Sequence, residues 1–205
     1  MFKKIALLGC LLLTLTAYHQ VFAAPAILVF GDSLSAGYGV LKQQGWVALL
    51  ENQLRSQGYP HRVINASISG DTTAGGAARI KSTLANHQPD IVIVELGGND
   101  GLRGLPIPRM QQNLANIINH SHLTQAKVLL VGMQIPPNYG PQYTRQFQTV
   151  YQNLASQFNI PLVPFLLDGL SHNQQDFQAD QIHPNASAQT KLLSNVWPHL
   201  KTLLN

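Results

Sequence analysis

The 205-residue sequence contains one cysteine, Cys10, which lies in an apolar stretch close to the amino terminus. If that stretch is removed as a leader, the remaining chain carries no thiol. A disulfide framework, a zinc site built from thiolates and a cysteine nucleophile are then excluded together.

Charge is also scarce, because Asp, Glu, Lys and Arg together make up 11% of the residues. The 13 basic side chains outnumber the 9 acidic ones, but they are scattered along the chain and form no run. A surface that binds nucleic acid needs clustered basic residues. We therefore expect no nucleic-acid partner.

Long apolar segments are missing everywhere except at the amino terminus. Lys3 and Lys4 precede an apolar run over residues 5–17, and a cleavage site with small residues ends at Ala23. This order of a basic start, a short apolar segment and a small residue at the cleavage point is typical of a secretory signal peptide.

The leader divides the chain into a predicted signal peptide, residues 1–23, and a single domain, residues 24–205. About 180 residues is an ordinary size for one domain, and the protein is expected in the periplasm or outside the cell.

An alternative is a lipoprotein processing site at Cys10, but about five apolar residues precede it, fewer than the roughly 7–15 of a signal-peptide apolar region. No later segment has the length of a transmembrane helix, so we expect no stable membrane insertion.

Short apolar runs rich in β-branched residues alternate with stretches in which apolar residues recur at helical spacing. The longer runs show no polar alternation, which is typical of strands covered on both faces of a parallel sheet. The repeated strand–helix units predict right-handed crossovers and a three-layer α/β/α sandwich. The last helix is expected to begin near Pro184 and to end or kink around Pro198. The predicted strands cover residues 26–30, 62–65, 91–95, 127–131 and 160–163.

Residues suited to acyl transfer stand next to these predicted elements. Ser33 follows the first strand, and a serine hydroxyl becomes a nucleophile beside a base that removes its proton. His183, before the last helix, is the candidate base, because imidazole titrates near neutral pH. Asp180 could accept the other ring N–H and fix the tautomer. Since ligands of parallel α/β sheets bind beyond the carboxyl ends of the strands, we expect the three residues to converge there.

Acyl transfer also needs donors for the oxyanion of the tetrahedral intermediate. Turns of small residues at Ser33 and Gly70 can present backbone N–H groups, and Asn99 adds a side-chain amide. Each residue alone has an ordinary explanation, as a helix cap, a turn residue or an exposed side chain. Their occurrence together, in this order and at the ends of the predicted elements, indicates an acyl-transfer site.

Four segments carry these residues: Gly31-Asp32-Ser33-Leu34, Gly70, Gly98-Asn99-Asp100 and Asp180-Gln181-Ile182-His183-Pro184. They resemble the four sequence blocks of the SGNH (GDSL) hydrolase family. The resemblance implies Ser33 as nucleophile, His183 as base and Asp180 as the residue that orients it. It also implies an oxyanion hole formed by the backbone N–H groups of Ser33 and Gly70 and the side chain of Asn99. The implied fold is a flavodoxin-like, five-stranded parallel sheet with strand order 2-1-3-4-5.

Longer stretches around these blocks resemble one bacterial branch of the family, the multifunctional thioesterase/protease/lysophospholipases and their arylesterase relatives. The stretches are residues 31–38, 65–72, 94–104 and 132–140. This resemblance implies a broad acyl hydrolase for esters, thioesters and lysophospholipids, which acts through an acyl-enzyme on Ser33. Its substrate would be a small molecule, no step would need a cofactor or a metal, and the protein is expected to be a monomer.

Other functions remain open at this point. A carbohydrate O-deacetylase can use the same residues, but its walls should be polar, whereas the walls expected here are apolar. A non-catalytic binding module of the same fold would not need the complete set of site residues. A metal site at His120 and His122 lacks the carboxylates that would complete it. The residues expected to wall the cleft are Leu102, Leu105, Ile135, Pro136 and Tyr139.

Overall fold

The computed structural model describes residues 24–170 and 175–204. The predicted signal peptide, residues 1–23, lies outside them, and so does Cys10 with its alternative as a lipidation site. Both stay predictions from the sequence.

The strands of the sheet are β1 (Ala26–Gly31), β2 (Arg62–Asn65), β3 (Ile91–Glu95), β4 (Lys127–Val131) and β5 (Leu162–Val163). They are parallel and lie in the order β2-β1-β3-β4-β5, which confirms the predicted order. Leu28 of β1 lies opposite Ile64 on one side and Val92 on the other. Every residue of β1 and β3 is buried, as expected for central strands covered on both faces.

The α-helices of the described residues are α1 (Ser33–Ala36), α2 (Trp46–Ser56), α3 (Thr73–His87), α4 (Gly98–Leu102), α5 (Ile107–Leu123), α6 (Pro141–Phe158) and α7 (Gln189–Lys201). α5 packs between α3 and α6, and α2 packs against α7. Right-handed crossovers place these two groups on opposite faces of the sheet. The result is the predicted α/β/α sandwich. Within residues 24–170 and 175–204, no helix has the length and apolar character needed to cross a bilayer.

Apolar side chains from both helical layers cover the sheet. Trp46 of α2, Leu114 of α5 and Phe147 of α6 are each 0% exposed. Burying a side chain of this size contributes about 1.5–3 kcal/mol relative to leaving it in water. This packing fixes the carboxyl ends of β1 and β3, from which the segments of the candidate site begin.

Two element boundaries differ from the sequence prediction. β5 begins at Leu162, later than expected, because Pro161 has no N–H to donate to a neighbouring strand. α7 begins at Gln189 rather than near Pro184. Pro184 instead forms an antiparallel bridge with Phe177, which keeps this segment extended before the helix starts.

The last helix does not end at Pro198, one of the two outcomes expected there. α7 continues through Pro198 as far as Lys201. Leu200 is fully buried on the core side of this last turn. Its packing offsets the loss of the helical hydrogen bond that proline cannot donate.

Candidate active site

A tight turn after β1 carries Ser33. The Asp32 side chain accepts a hydrogen bond from the N–H of Leu34 at 3.0 Å and so caps α1, whose first residue is Ser33. Glycine is needed at position 31, because a Cβ at Gly31 would lie 2.6 Å from Glu95 Oε2. The turn leaves Ser33 half-buried at the carboxyl edge of the sheet.

Three side chains form a continuous hydrogen-bonded chain at this edge. Ser33 Oγ lies 2.9 Å from His183 Nε2, and His183 Nδ1 lies 2.7 Å from Asp180 Oδ2. An ionised carboxylate can only accept hydrogen bonds, so the ring proton lies on Nδ1 and a lone pair on Nε2 faces the serine hydroxyl. The structure thus brings the predicted serine, histidine and aspartate within hydrogen-bonding distance of one another.

Asp180 also fixes the turn that carries the histidine. Its Oδ1 accepts hydrogen bonds from the N–H groups of Ile182 at 2.9 Å and His183 at 3.0 Å. The backbone N–H of His183, then its ring, then the N–H of Ile182 lower the pKa of Asp180 to about 2, so the carboxyl is ionised at neutral pH. The N–H of Gln178 donates to the His183 carbonyl at 2.8 Å, and the Tyr38 ring packs 4.5 Å from the imidazole. The base is therefore held on several sides.

The two predicted backbone donors lie on turns at this edge. Ser33 begins α1, and the first N–H groups of a helix have no acceptor within the helix. Gly70 lies between β2 and α3 with φ 78°, a left-handed conformation that favours glycine. The Gly70 carbonyl accepts a hydrogen bond from Arg103 Nη2 at 3.0 Å, which ties this turn to the end of α4.

Asn99, on α4, is already engaged. Its Nδ2 donates to Asp32 Oδ2 at 3.0 Å and to the backbone carbonyl of Asp71 at 2.9 Å. A side-chain amide has two hydrogens, and both are used here. To bind an oxyanion, Asn99 must redirect one of them.

A pair of buried carboxyl groups lies behind Ser33, and the sequence did not predict it. Asp32 is 2% exposed, and Glu95, the last residue of β3, is 0% exposed. Glu95 Oε2 accepts hydrogen bonds from Ser35 Oγ at 2.7 Å and from the N–H of Asp32 at 3.3 Å. Burial raises the pKa of Asp32 to about 6, and burial followed by the charge of Asp32 raises the pKa of Glu95 well above its usual range. The sequence signal for this pair was an acidic residue ending an otherwise apolar strand.

Most of the residues predicted to wall the cleft lie at or near the surface. Leu102 and Leu105 are 37% and 36% exposed, and Pro136 is exposed. Tyr139 is half-buried, and its hydroxyl donates to the Leu102 carbonyl at 2.7 Å. This hydrogen bond ties the loop after β4 to the loop after β3.

Ile135 does not lie at the surface as predicted. It is 5% exposed and belongs to the hydrophobic core. Its side chain fills the space next to Gly101, where a Cβ would lie 2.5 Å from Ile135 Cγ2. The absence of a side chain at position 101 lets the isoleucine turn inward.

The histidine pair considered as a metal site has no further ligands. In residues 24–170 and 175–204, no group of three or more His, Cys, Asp or Glu side chains could hold a metal ion. The ring of His122 packs edge-on against Phe158 at 6.0 Å.

Comparisons with known proteins agree on one family. A model described as the GDSL-like Lipase/Acylhydrolase family matches residues 29–191. "Esterase TesA" of Pseudomonas aeruginosa is 52% identical over 202 residues, which cover 98% of this chain and 100% of that protein. "Thioesterase 1/protease 1/lysophospholipase L1" of Escherichia coli (strain K12) is 42% identical over 183 residues, 89% of this chain and 86% of that protein. A crystal structure of TesA superposes with a TM-score of 0.84 at 53% identity, covering 87% of this chain and 99% of that chain.

Proposed function

The chain belongs to the GDSL-like lipase/acylhydrolase family, and from this premise we propose that it is a serine hydrolase that cleaves carboxylic esters and thioesters. The acyl group would be held on Ser33 as an acyl-enzyme. The observation that carries the proposal is the unbroken contact from Ser33 Oγ through His183 to Asp180, at 2.9 Å and 2.7 Å. Serine becomes a nucleophile when one imidazole nitrogen directs its lone pair at the hydroxyl and the other nitrogen donates its proton to a carboxylate.

The reaction follows from these contacts. His183 Nε2 takes the hydroxyl proton while Ser33 Oγ attacks the acyl carbon. The oxyanion accepts hydrogen bonds from the N–H groups of Ser33 and Gly70 and from the redirected amide of Asn99. The imidazolium, stabilised by Asp180, protonates the departing alkoxide or thiolate. Water activated by the same histidine then attacks the acyl-enzyme, releases the carboxylic acid and restores the serine.

The apolar surface around the site supports acyl-chain substrates. Six of the seven exposed large apolar side chains of the described residues lie in the segments that follow the carboxyl ends of the strands, and Leu123 lies elsewhere. Exposed apolar groups concentrated in one place mark a binding surface. The relatives are named as an esterase and as a thioesterase/protease/lysophospholipase. We therefore assign fatty acyl esters, fatty acyl thioesters and lysophospholipids as the substrate class. The six residues are Tyr38, Leu41, Ile68, Leu102, Leu105 and Ile182.

We propose that the protein is exported, on the basis of its amino-terminal sequence. The basic start, the apolar run and the cleavage site before Ala24 support export to the periplasm or beyond the cell. Mass spectrometry of protein recovered from the periplasm tests this: the expected amino-terminal residue is Ala24. A lipid attached to Cys10 would contradict it.

A substrate panel tests the proposed function. Purified protein is assayed on p-nitrophenyl esters of rising chain length, acyl-CoAs, a lysophospholipid and acetylated sugars. We expect turnover of the acyl esters and thioesters, and its loss after treatment with a fluorophosphonate. Turnover of acetylated sugars alone would identify a carbohydrate deacetylase, and no turnover of any compound would identify a binding module.

The acyl-chain preference depends on the rim. Medium-chain esters should outperform acetate esters, because each methylene buried against the rim contributes about 0.8 kcal/mol. Leu105→Ser should reduce kcat/KM for an octanoate ester roughly fourfold, the equivalent of about one buried methylene, and leave the acetate ester unchanged. Leu123→Ser is the matched control, because Leu123 is 78% exposed at the end of α5 and is expected to have no effect. Acetate as the best substrate, with rates falling as the chain lengthens, would contradict the acyl rim.

A further inference from the structure

The orientation of the Asn99 amide depends on its partners. An amide can present either its nitrogen or its oxygen to a neighbour, depending on which way it is turned. Asp32 Oδ2, 3.0 Å from Asn99 Nδ2, belongs to a group that only accepts hydrogen bonds when it is ionised. The Asp71 carbonyl, 2.9 Å from the same nitrogen, accepts the second hydrogen. An ionised Asp32 therefore keeps the donor end of Asn99 between the Ser33 turn and the Gly70 turn.

We propose that Asp32 is a positioning residue for the oxyanion hole, because its carboxylate holds Asn99 Nδ2 in place while the other amide hydrogen passes from the Asp71 carbonyl to the oxyanion. This inference rests on the proposed function, since it concerns the same site. It assigns Asp32 a role beyond capping α1.

Both oxygens of Asp32 are in use, and this makes the orientation sensitive to its charge. Oδ1 accepts from the Leu34 N–H and Oδ2 from Asn99. Protonation adds an O–H to Asp32 and makes its oxygens weaker acceptors, and the atom that Asn99 can offer to this O–H is its own Oδ1. We therefore expect protonation to weaken the hold of Asp32 on Nδ2 and to favour the turned amide, which withdraws the donor from the oxyanion hole.

The groups around Asp32 place the protonation of its carboxylate at mildly acidic pH. Desolvation raises the pKa of Asp32 to about 6, while the hydrogen bonds from Leu34 and Asn99 and the charge of His183 oppose the rise, and Asp71 adds to it. Glu95 of β3 also faces Asp32, through the hydrogen bond from the Asp32 N–H to Oε2. Burial, followed by the charge of Asp32, raises the pKa of Glu95 well above its usual range.

Kinetics of variants test whether Asp32 acts through Asn99. In Asp32→Asn, the single oxygen caps the Leu34 N–H, so the new NH₂ group faces Asn99 and forces its amide to turn. We expect kcat to fall by roughly 10²–10³, as in Asn99→Ala, with little change in KM. The double variant, which combines Asp32→Asn with Asn99→Ala, should be no slower than either single variant. Wild-type kcat in Asp32→Asn, or losses that multiply in the double variant, would overturn the proposal.

A nuclear magnetic resonance titration tests the same inference without turnover. The side-chain amide signals of Asn99 should shift with a midpoint near pH 6 in the wild-type protein and in Ser33→Ala, and at a higher pH in His183→Ala, because the charge of His183 lowers the pKa of Asp32. Asn195 is the matched control, because its Nδ2 donates to the backbone carbonyls of Leu166 and Asp168, which do not titrate. Asn99 signals that stay unchanged from pH 8 to pH 5 would overturn the role of Asp32, whatever the activity of the enzyme. Inactive wild-type protein with the expected shift would instead refute the proposed function alone.

Discussion

Ser33→Ala is expected to lower kcat on acyl esters by roughly 10⁶, because a serine nucleophile and its base act as a unit. His183 Nε2 faces Ser33 Oγ at 2.9 Å, so the substitution removes the hydroxyl that the base contacts. The nearest alternative in the same turn, Ser35, directs its hydroxyl to Glu95 at 2.7 Å. The residual rate would come from the oxyanion donors and from substrate binding alone.

The measurement compares kcat of purified wild-type and variant protein on a p-nitrophenyl ester and an acyl-CoA. Ser69→Ala is the matched control, because Ser69 is an exposed serine on the loop after β2 and should keep wild-type turnover. In the wild type, a fluorophosphonate should add its mass to the peptide that contains Ser33. Ordinary turnover by Ser33→Ala, or a label on another serine, would show that the nucleophile is wrongly assigned.

The sheet and the position of the site could be predicted because both depend on local patterns. Apolar runs located β1 to β4 to within one residue. The longer ones, β1, β3 and β4, show no polar alternation, which is the pattern that buried parallel strands leave on the sequence. Ligands of such sheets bind at the carboxyl ends of the strands. That rule was enough to expect Ser33 and His183 at one edge, although 150 positions separate them.

The burial of Ile135 and Glu95 and the hydrogen bonds of Asn99 could not be predicted, because they depend on which distant residue lies beside each side chain. Ile135 follows the fourth strand like a rim residue, but the space left by Gly101 draws it into the core. Asn99 has the sequence context of a free donor, yet Asp32, 67 positions away, accepts one of its hydrogens. Glu95 is buried because the absence of a side chain at position 31 leaves room for its carboxyl group. No local pattern records such pairings, so a single sequence does not reveal them.

Asp180→Asn is expected to lower kcat by about 10⁴ at neutral pH, the loss that follows when a catalytic histidine is held in the wrong tautomer. Asp180 accepts three hydrogen bonds: Oδ1 from the N–H groups of Ile182 and His183, and Oδ2 from His183 Nδ1. Asparagine has a single oxygen, and the two backbone N–H groups hold that oxygen at the Oδ1 position. Its NH₂ group then faces Nδ1, which must accept. The ring proton moves to Nε2 and points at Ser33 Oγ, so the base can no longer take the hydroxyl proton.

Two measurements separate this loss of the base from a loss of structure. The ring nitrogen signals of His183 should show the proton on Nδ1 in the wild type and on Nε2 in Asp180→Asn, with unchanged backbone spectra. Glu51→Gln removes a partly exposed carboxylate on α2, whose neighbour is Arg55 of the same helix, and should leave kcat unaltered, which controls for the change in net charge. If Asp180→Asn stayed within tenfold of the wild-type kcat, or kept its ring proton on Nδ1, Asp180 would not set the tautomer. Its hydrogen bonds to Ile182 and His183 would then serve only to shape the turn.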